Sequence, residues 1–153
     1  MTQYAVINPS KKTVELVQAE GMDAALMQAG LKSGEVDWGS IGRTTDKRTI
    51  TIVAYEFGLR DDMAGDGWVE PNYTRIGRQM YAGNLLVMAA DNMGEDADVT
   101  AKDVMTLKNH LEWLPTRQDC EDAMSRGAMD RPQMSVNGQV LWQWNVSENG
   151  EEV

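Results

Sequence analysis

The pattern of hydrophobic and polar positions is sharpest over residues 81–100, where the most apolar run of the chain meets its most acidic turn. Residues 85–90 are an apolar run between a Gly-Asn pair and an Asp-Asn pair, which is typical of a strand buried on both faces. Thr100 is suited to an N-cap, and Asp103 is placed to complete a capping box. The sequence therefore predicts a central strand, an acidic turn and a helix in succession.

The first part of the chain alternates β-rich runs with turn-forming residues. Four runs are rich in β-branched and aromatic residues and predict strands: residues 3–7, 13–17, 35–41 and 49–57. The first two flank an Asn-Pro-Ser turn and predict a hairpin, and we expect the other two to pair. Residues 22–29 have helical apolar spacing and are followed by Gly30, a typical C-cap. Residues 58–71 are rich in glycine and aspartate and predict a loop.

Two helices are predicted after the acidic turn. The first begins after Thr100, and Pro115 ends it. Its predicted apolar stripe consists of Val104, Leu107, Leu111 and Leu114, opposite a polar face of Lys102, Asp103, Lys108 and Glu112. Thr116 with Asp119 predicts a second capped helix over residues 117–125, which ends at Gly127.

The end of the chain predicts a hairpin over residues 134–146. Its Asn137-Gly138 pair favours a type I′ turn, because both central residues of that turn need a positive φ. Apolar residues, including Trp142 and Trp144, then alternate with polar ones and predict one aromatic strand face. The acidic residues 147–153 are expected to form a disordered tail.

Together these segments predict a single α+β domain over residues 1–146. We expect a mainly antiparallel sheet with two or three helices packed on one face, and the C-terminal hairpin. A chain of 153 residues with 42% hydrophobic and 25% charged residues can bury a core of this kind without disulfides or metal.

The sequence predicts a cytoplasmic protein. Cys120 is the single cysteine, so no internal disulfide is possible, and the N-terminus has neither a basic start nor a long apolar stretch. No apolar run approaches the roughly eighteen residues that cross a bilayer. We therefore expect no membrane association.

Charge is distributed unevenly along the chain. Residues 1–60 contain seven Lys/Arg and seven Asp/Glu, whereas residues 61–153 contain seven and seventeen, so the net charge of −10 lies in the second part. Phosphate backbones would repel such a surface, and this argues against nucleic-acid binding. Solubility and a basic protein partner are the two interpretations that the acidity leaves open.

Most of the chain before residue 114 carries a family resemblance. Ala82-Gly83-Asn84-Leu85-Leu86-Val87, Asp91, Gly94 and Asp98-Val99-Thr100 resemble the glycine-led strand, acidic turn and helix start of a phage-borne domain family of unknown function. With an opening strand that ends in Asn8-Pro9, and Tyr55-Glu56-Phe57-Gly58-Leu59, the resemblance covers about residues 4–113. It implies a phage or phage-like origin, residence in the host-cell cytoplasm and an α+β fold, but no activity.

No catalytic motif stands out. Asp91, Glu95, Asp96 and Asp98 are oxygen donors of the kind that hard cations prefer, but their spacing is not that of an EF-hand loop, and a solvated acidic turn is the simpler interpretation. His110 is the only histidine and is expected to be a partly exposed helix residue. Acidic neighbours of Cys120 are expected to raise the pKa of its thiol.

Two functional hypotheses follow. The first is a non-enzymatic accessory protein that binds a basic host protein in competition with nucleic acid. Its candidate partner-binding residues are Asp61, Asp62, Asp91, Glu95, Asp96, Trp142 and Trp144. The alternative is a small metal-dependent hydrolase that uses the carboxylates from Asp91 to Asp98. The first hypothesis is favoured because the sequence supplies acidic surface but no recognisable nucleophile, and it assigns no catalytic residue, cofactor or metal.

Overall fold

The computed structural model of the chain describes residues 1–55 and 73–127. Over these ranges the fold is α+β with antiparallel sheets, as predicted. The predicted loop at residues 58–71, the hairpin at 134–146 and the acidic tail at 147–153 lie outside the described residues.

Nine strands and three helices occur in these two ranges. In chain order they are β1 (Thr2–Asn8), β2 (Thr13–Ala19), α1 (Met22–Ala29), β3 (Val36–Arg43), β4 (Thr49–Tyr55), β5 (Tyr73–Ile76), β6 (Gln79–Ala82), β7 (Leu85–Ala90), β8 (Asp96–Ala97), α2 (Ala101–Asn109), β9 (Leu111–Leu114) and α3 (Arg117–Ser125). A 3₁₀ turn, Ser33–Glu35, precedes β3.

The larger sheet has the strand order β2-β1-β7-β4-β3, with the short strand β8 beside β7. All of its strand pairs are antiparallel. Leu85, Leu86 and Val87 of the central strand β7 are fully buried. The predicted strand buried on both faces is therefore confirmed, because neighbouring residues of a strand point to opposite faces and each of these faces is covered.

The helices cover both faces of this sheet, whereas the sequence analysis placed them on one. Leu26 of α1 belongs to a cluster with Leu86 on one face. Leu107 of α2 belongs to a second cluster with Val87 on the other face. Since β7 is apolar at successive positions, a single helical layer would leave half of its side chains in water.

A smaller sheet with the order β6-β5-β9 packs against the α2 side of the larger one. Ile76 faces the larger sheet, while Tyr73 faces α3 and its residues Cys120 and Ala123. Sequence analysis had assigned no element to residues 73–82. The signal it missed is the two-residue Gly77-Arg78 connection between β5 and β6, in which Gly77 has the positive φ of +59° required at the first position of a type II′ turn.

The predicted helix over residues 101–114 is wrong beyond Asn109. Residues 111–114 form β9 and pair with β5, with Leu111 opposite Ile76 and Leu114 opposite Tyr73. As a strand, this segment places Leu111 against the core of the larger sheet and Leu114 against α3. A helix ending before Pro115 would have satisfied the apolar spacing equally well, so pairing with β5 decides the outcome.

Candidate functional site

The acidic turn between β7 and β8 is organised by Asp91. Its Oδ1 accepts hydrogen bonds from the backbone N–H groups of Met93 at 2.9 Å and Glu95 at 3.0 Å. The N–H of Asp91 also donates to the carbonyl of Glu95 at 2.8 Å, and Gly94 has a φ of +81°. A side chain that accepts from its own following backbone fixes a turn. Oδ1 of Asp91 is therefore engaged by the backbone of the turn itself.

Two other acidic side chains of this turn face solvent. Glu95 and Asp96 are exposed, and neither carboxylate accepts a hydrogen bond or forms an ion pair with any residue that the structure describes. Met93, at the tip, is 80% exposed. We call residues 91–96 the acidic hairpin. It presents two carboxylates and one flexible apolar side chain on a backbone that Asp91 holds in place.

Asp98 follows the hairpin and ties the chain to β1. Its Oδ1 accepts from the N–H of Gln3 at 2.8 Å, and the side-chain amide of Gln3 donates to the carbonyl of Val99 at 2.7 Å. In residues 1–55 and 73–127, no three His, Cys, Asp or Glu side chains are grouped as metal ligands. The carboxylates from Asp91 to Asp98 are thus close in sequence, but two of them already bind backbone N–H groups.

Asp103 corrects the sequence analysis, which placed it on a polar helix face. It is 1% exposed. Its carboxylate completes the predicted capping box with Thr100 and also binds Arg48 through two nitrogens, with Nη1 to Oδ2 at 2.6 Å and Nη2 to Oδ1 at 3.1 Å. Arg48 Nη1 also donates to the carbonyl of Asp98 at 2.8 Å. The start of α2 is therefore joined to the β3–β4 connection.

Arg48 also contacts a second carboxylate, that of Asp46, with Nε to Oδ2 at 2.9 Å. Burial acts to raise the pKa of Asp46, but hydrogen bonds from Arg48 and Thr44 outweigh it and lower that pKa. Burial acts to lower the pKa of Arg48, and its hydrogen bonds to Asp103 and Asp46 raise it instead. These shifts keep Asp46 and Arg48 ionised near neutral pH, and the hydrogen bonds of Arg48 to Asp46 and Asp103 stabilise the fold.

A second charged cluster lies where the β5–β6 turn meets the end of α3. It is a pocket of about 520 Å³ lined by Arg75, Gly77, Arg78, Ala123, Arg126 and Gly127. One carboxylate, Glu112 of β9, binds Arg126 at 3.0 Å and Arg75 at 3.4 Å. We call this the basic pocket. Sequence analysis missed it, because its arginines are far apart in a chain whose net charge is −10.

Cys120 and His110 occupy the places expected of structural residues. Cys120 is fully buried, and burial together with the charges of Asp119 and Glu121 raises the pKa of its thiol to about 12. Burial is the larger cause, whereas sequence analysis had considered only the acidic neighbours. His110 is the half-buried C-cap of α2. Neither residue lies at the acidic hairpin.

The remaining predicted partner-binding residues, Asp61, Asp62, Trp142 and Trp144, lie outside the described residues. Much of the acidity lies there too. Residues 1–55 contain six Lys/Arg and six Asp/Glu, and residues 73–127 contain six and nine, a net charge of −3. The remaining net charge of −7 therefore belongs to residues 56–72 and 128–153.

Comparison with known proteins returns no match to a protein-family model, a curated protein or a solved structure. The resemblance to a phage-borne family therefore stays a prediction. In the part of the chain that the structure describes, no helix has the length and apolar character needed to cross a membrane.

Proposed function

We propose that this protein is a non-enzymatic accessory protein that binds a basic partner protein through its acidic hairpin. The observation that carries the proposal is the exposure of Glu95 and Asp96, whose carboxylates have no partner among the described residues, on a turn that Asp91 holds in place. An ordered backbone lowers the entropy lost when a partner binds.

Several other carboxylates of the described chain are engaged internally. Asp103 binds Arg48, Glu112 binds two arginines, and Asp119 completes the capping box of α3. The hairpin carboxylates, like those of Glu15 and Glu20, have no such bond among the described residues, but Glu95 and Asp96 are adjacent on a turn that Asp91 holds in place, where both can meet one external cation. Methionine adapts its shape to different surfaces, so Met93 adds a short apolar contact beside the charges.

Such a surface acts mainly on association rate and specificity. Opposite charges steer a basic protein toward the hairpin, and salt screens exposed charges over about 8 Å at physiological ionic strength. The same basic surface on the partner would otherwise bind nucleic acid, so the two ligands compete. That the partner is a host protein, and that the chain is phage-borne, rests on the family resemblance.

The alternative, a metal-dependent hydrolase, has less support. A catalytic metal needs several oxygen ligands with free lone pairs directed to one point. Among the described residues no three His, Cys, Asp or Glu side chains are grouped in this way, and one oxygen of Asp91 and one of Asp98 already accept hydrogen bonds from backbone N–H groups. No observation on the described residues favours this function over binding.

The proposal is tested by capture from bacterial lysate with a charge-matched control. The test variant is Glu95→Gln with Asp96→Asn. The control is Glu15→Gln with Glu20→Gln, which removes the same two negative charges from exposed positions of β2 and the residue after it. Asp91 is left unchanged in both variants, because its substitution would disturb the turn itself.

We expect the parent to retain a basic protein at low salt and to release it at high salt. The hairpin variant should fail to retain this protein, whereas the control variant should retain it as the parent does. Nucleic acid added to the lysate should displace it. If the parent retains no basic protein, or if both variants reduce retention equally, the hairpin is not a binding site and the acidity serves solubility.

A further inference from the structure

The basic pocket brings together three arginines from two elements and one turn. Arg75 comes from β5, Arg78 from the β5–β6 turn, and Arg126 from the C-cap of α3. The tight Gly77-Arg78 turn fixes the position of Arg78, since Gly77 supplies the positive φ and its N–H donates to the carbonyl of His110 at 3.1 Å. The pocket thus depends on the packing of the smaller sheet against α3.

The three arginines are not equally engaged. Arg126 donates to both oxygens of Glu112, at 3.0 and 3.3 Å, and to the carbonyl of Asp122 at 3.3 Å. Arg75 donates through Nε to Glu112 and through Nη1 to the carbonyl of Gly77. Arg78 is exposed and makes no hydrogen bond or ion pair with the residues that the structure describes. Its five N–H donors therefore have no acceptor among these residues.

The charge of this cluster is unbalanced. Arg75 and Arg126 share the carboxylate of Glu112, and Asp122 acts electrostatically on Arg126, so the three guanidinium groups exceed these two carboxylates by one positive charge. Like charges held together are unfavourable unless a counter-charge joins them. Hydrogen bonding from Arg126 lowers the pKa of Glu112, so this carboxylate is already ionised at neutral pH and provides no further compensation.

We propose that the basic pocket binds the phosphate group of a small phosphomonoester, with Arg78 as the principal contact. A phosphate group supplies the negative charge that Arg78 lacks among the described residues, and the guanidinium fork matches the spacing of phosphate oxygens. The volume of about 520 Å³ lies in the range of small-molecule sites. This binding site is distinct from the acidic hairpin and does not depend on the partner proposed for it.

The test measures binding of inorganic phosphate and of glycerol phosphate to the full chain by titration calorimetry. Sodium acetate at the same ionic strength serves as the monoanion control. The test variant is Arg78→Gln, which keeps hydrogen-bonding groups but removes the charge. The matched control is Arg43→Gln, at an exposed arginine in β3 that does not line the pocket.

We expect saturable binding of both phosphates and none of acetate, with affinity weakened roughly tenfold in Arg78→Gln and unchanged in Arg43→Gln. Tighter binding of glycerol phosphate than of inorganic phosphate would show that the pocket also contacts the organic group of its ligand. Equal affinity would show that the phosphate group alone accounts for binding. Absence of saturable phosphate binding in the parent, or equal weakening in both variants, overturns the proposal.

Discussion

Two arginine–carboxylate clusters of this protein differ in solvent exposure and in charge balance. In the first, Arg48 binds Asp103 and Asp46, and the side chains of Arg48 and Asp103 are only 14% and 1% exposed. In the basic pocket, Arg75 and Arg126 share Glu112, whose side chain is 32% exposed beside that of Arg126 at 58%, and Arg78 has no carboxylate partner among the described residues. In the first cluster the cation and its main partner Asp103 are buried, while Asp46 is 64% exposed, and the second cluster is open to solvent with cations in excess.

The difference separates structural from binding roles. Once Arg48 and Asp103 are buried, removing either partner leaves a charge that water cannot reach, so this pair is needed for folding. Charges of the basic pocket remain hydrated, and breaking one contact there costs little. Excess positive charge at a solvated surface is therefore suited to bind a ligand, whereas all three side-chain nitrogens of Arg48 donate to protein oxygens.

The largest expected effect is that of Asp103→Ala. This change should lower the free energy of unfolding by about 3 kcal/mol or more, because it leaves Arg48 buried without its main partner. Asp119→Ala removes the equivalent capping residue of α3. Because Asp119 has no arginine partner among the described residues, this change should lower the free energy of unfolding by only about 1 kcal/mol. Urea denaturation of both variants measures the difference. Equal losses would mean that capping, not the ion pair, accounts for the role of Asp103.

A smaller effect is expected for Glu112→Gln, about 0.2–1 kcal/mol at neutral pH. Hydrogen bonding from Arg126 lowers the pKa of Glu112 below its ordinary value of 4.5. Its contribution to stability is therefore complete above pH 4.5 and is lost as the pH falls through the lowered pKa of the folded state. Urea denaturation between neutral and acidic pH should show parent and variant converging. If the difference in stability between parent and Glu112→Gln stays constant from neutral to acidic pH, the ion pairs of Glu112 are not its source.

The smallest effect is expected for Arg78→Gln. Since Arg78 is exposed and has no partner among residues 1–55 and 73–127, its replacement should change stability by less than about 0.5 kcal/mol. Thermal unfolding in buffer without phosphate provides the measurement. A loss well above this value would show that Arg78 supports the fold, and it would weaken the distinction between the two clusters.

Local patterns predicted several elements to the residue. The helix Met22–Ala29 with its left-handed Gly30 cap, and the helix Arg117–Ser125 with its Thr116 and Asp119 capping box, occur as expected. Their signals consist of residues within one or two turns of each other, so no distant contact is needed to read them. The first strand pair and the buried central strand were predictable for the same reason.

The basic pocket was not predictable in this way. Arg75, Arg78 and Arg126 are about fifty residues apart at the extremes, and each resembles an ordinary solvated side chain in its own segment. Only the pairing of β5 with β9, and the packing of α3 against them, brings Glu112 and Arg126 beside Arg75. The acidic hairpin was easier to locate, because its residues are contiguous, although the internal role of Asp91 was not evident.

The sequence alone thus determined the elements whose signals lie within a few neighbouring residues. These are the two capped helix starts, the helix that ends at a glycine, and the strand that is apolar on both faces. Tertiary structure decided the choices that local energies leave balanced. Residues 111–114 satisfy a helical and an extended pattern alike, and pairing with β5 selects the strand. An aspartate such as Asp103 can face solvent or bind a buried partner. Arg48, fifty-five residues away in the chain, makes burial favourable because it supplies the opposite charge and two hydrogen bonds.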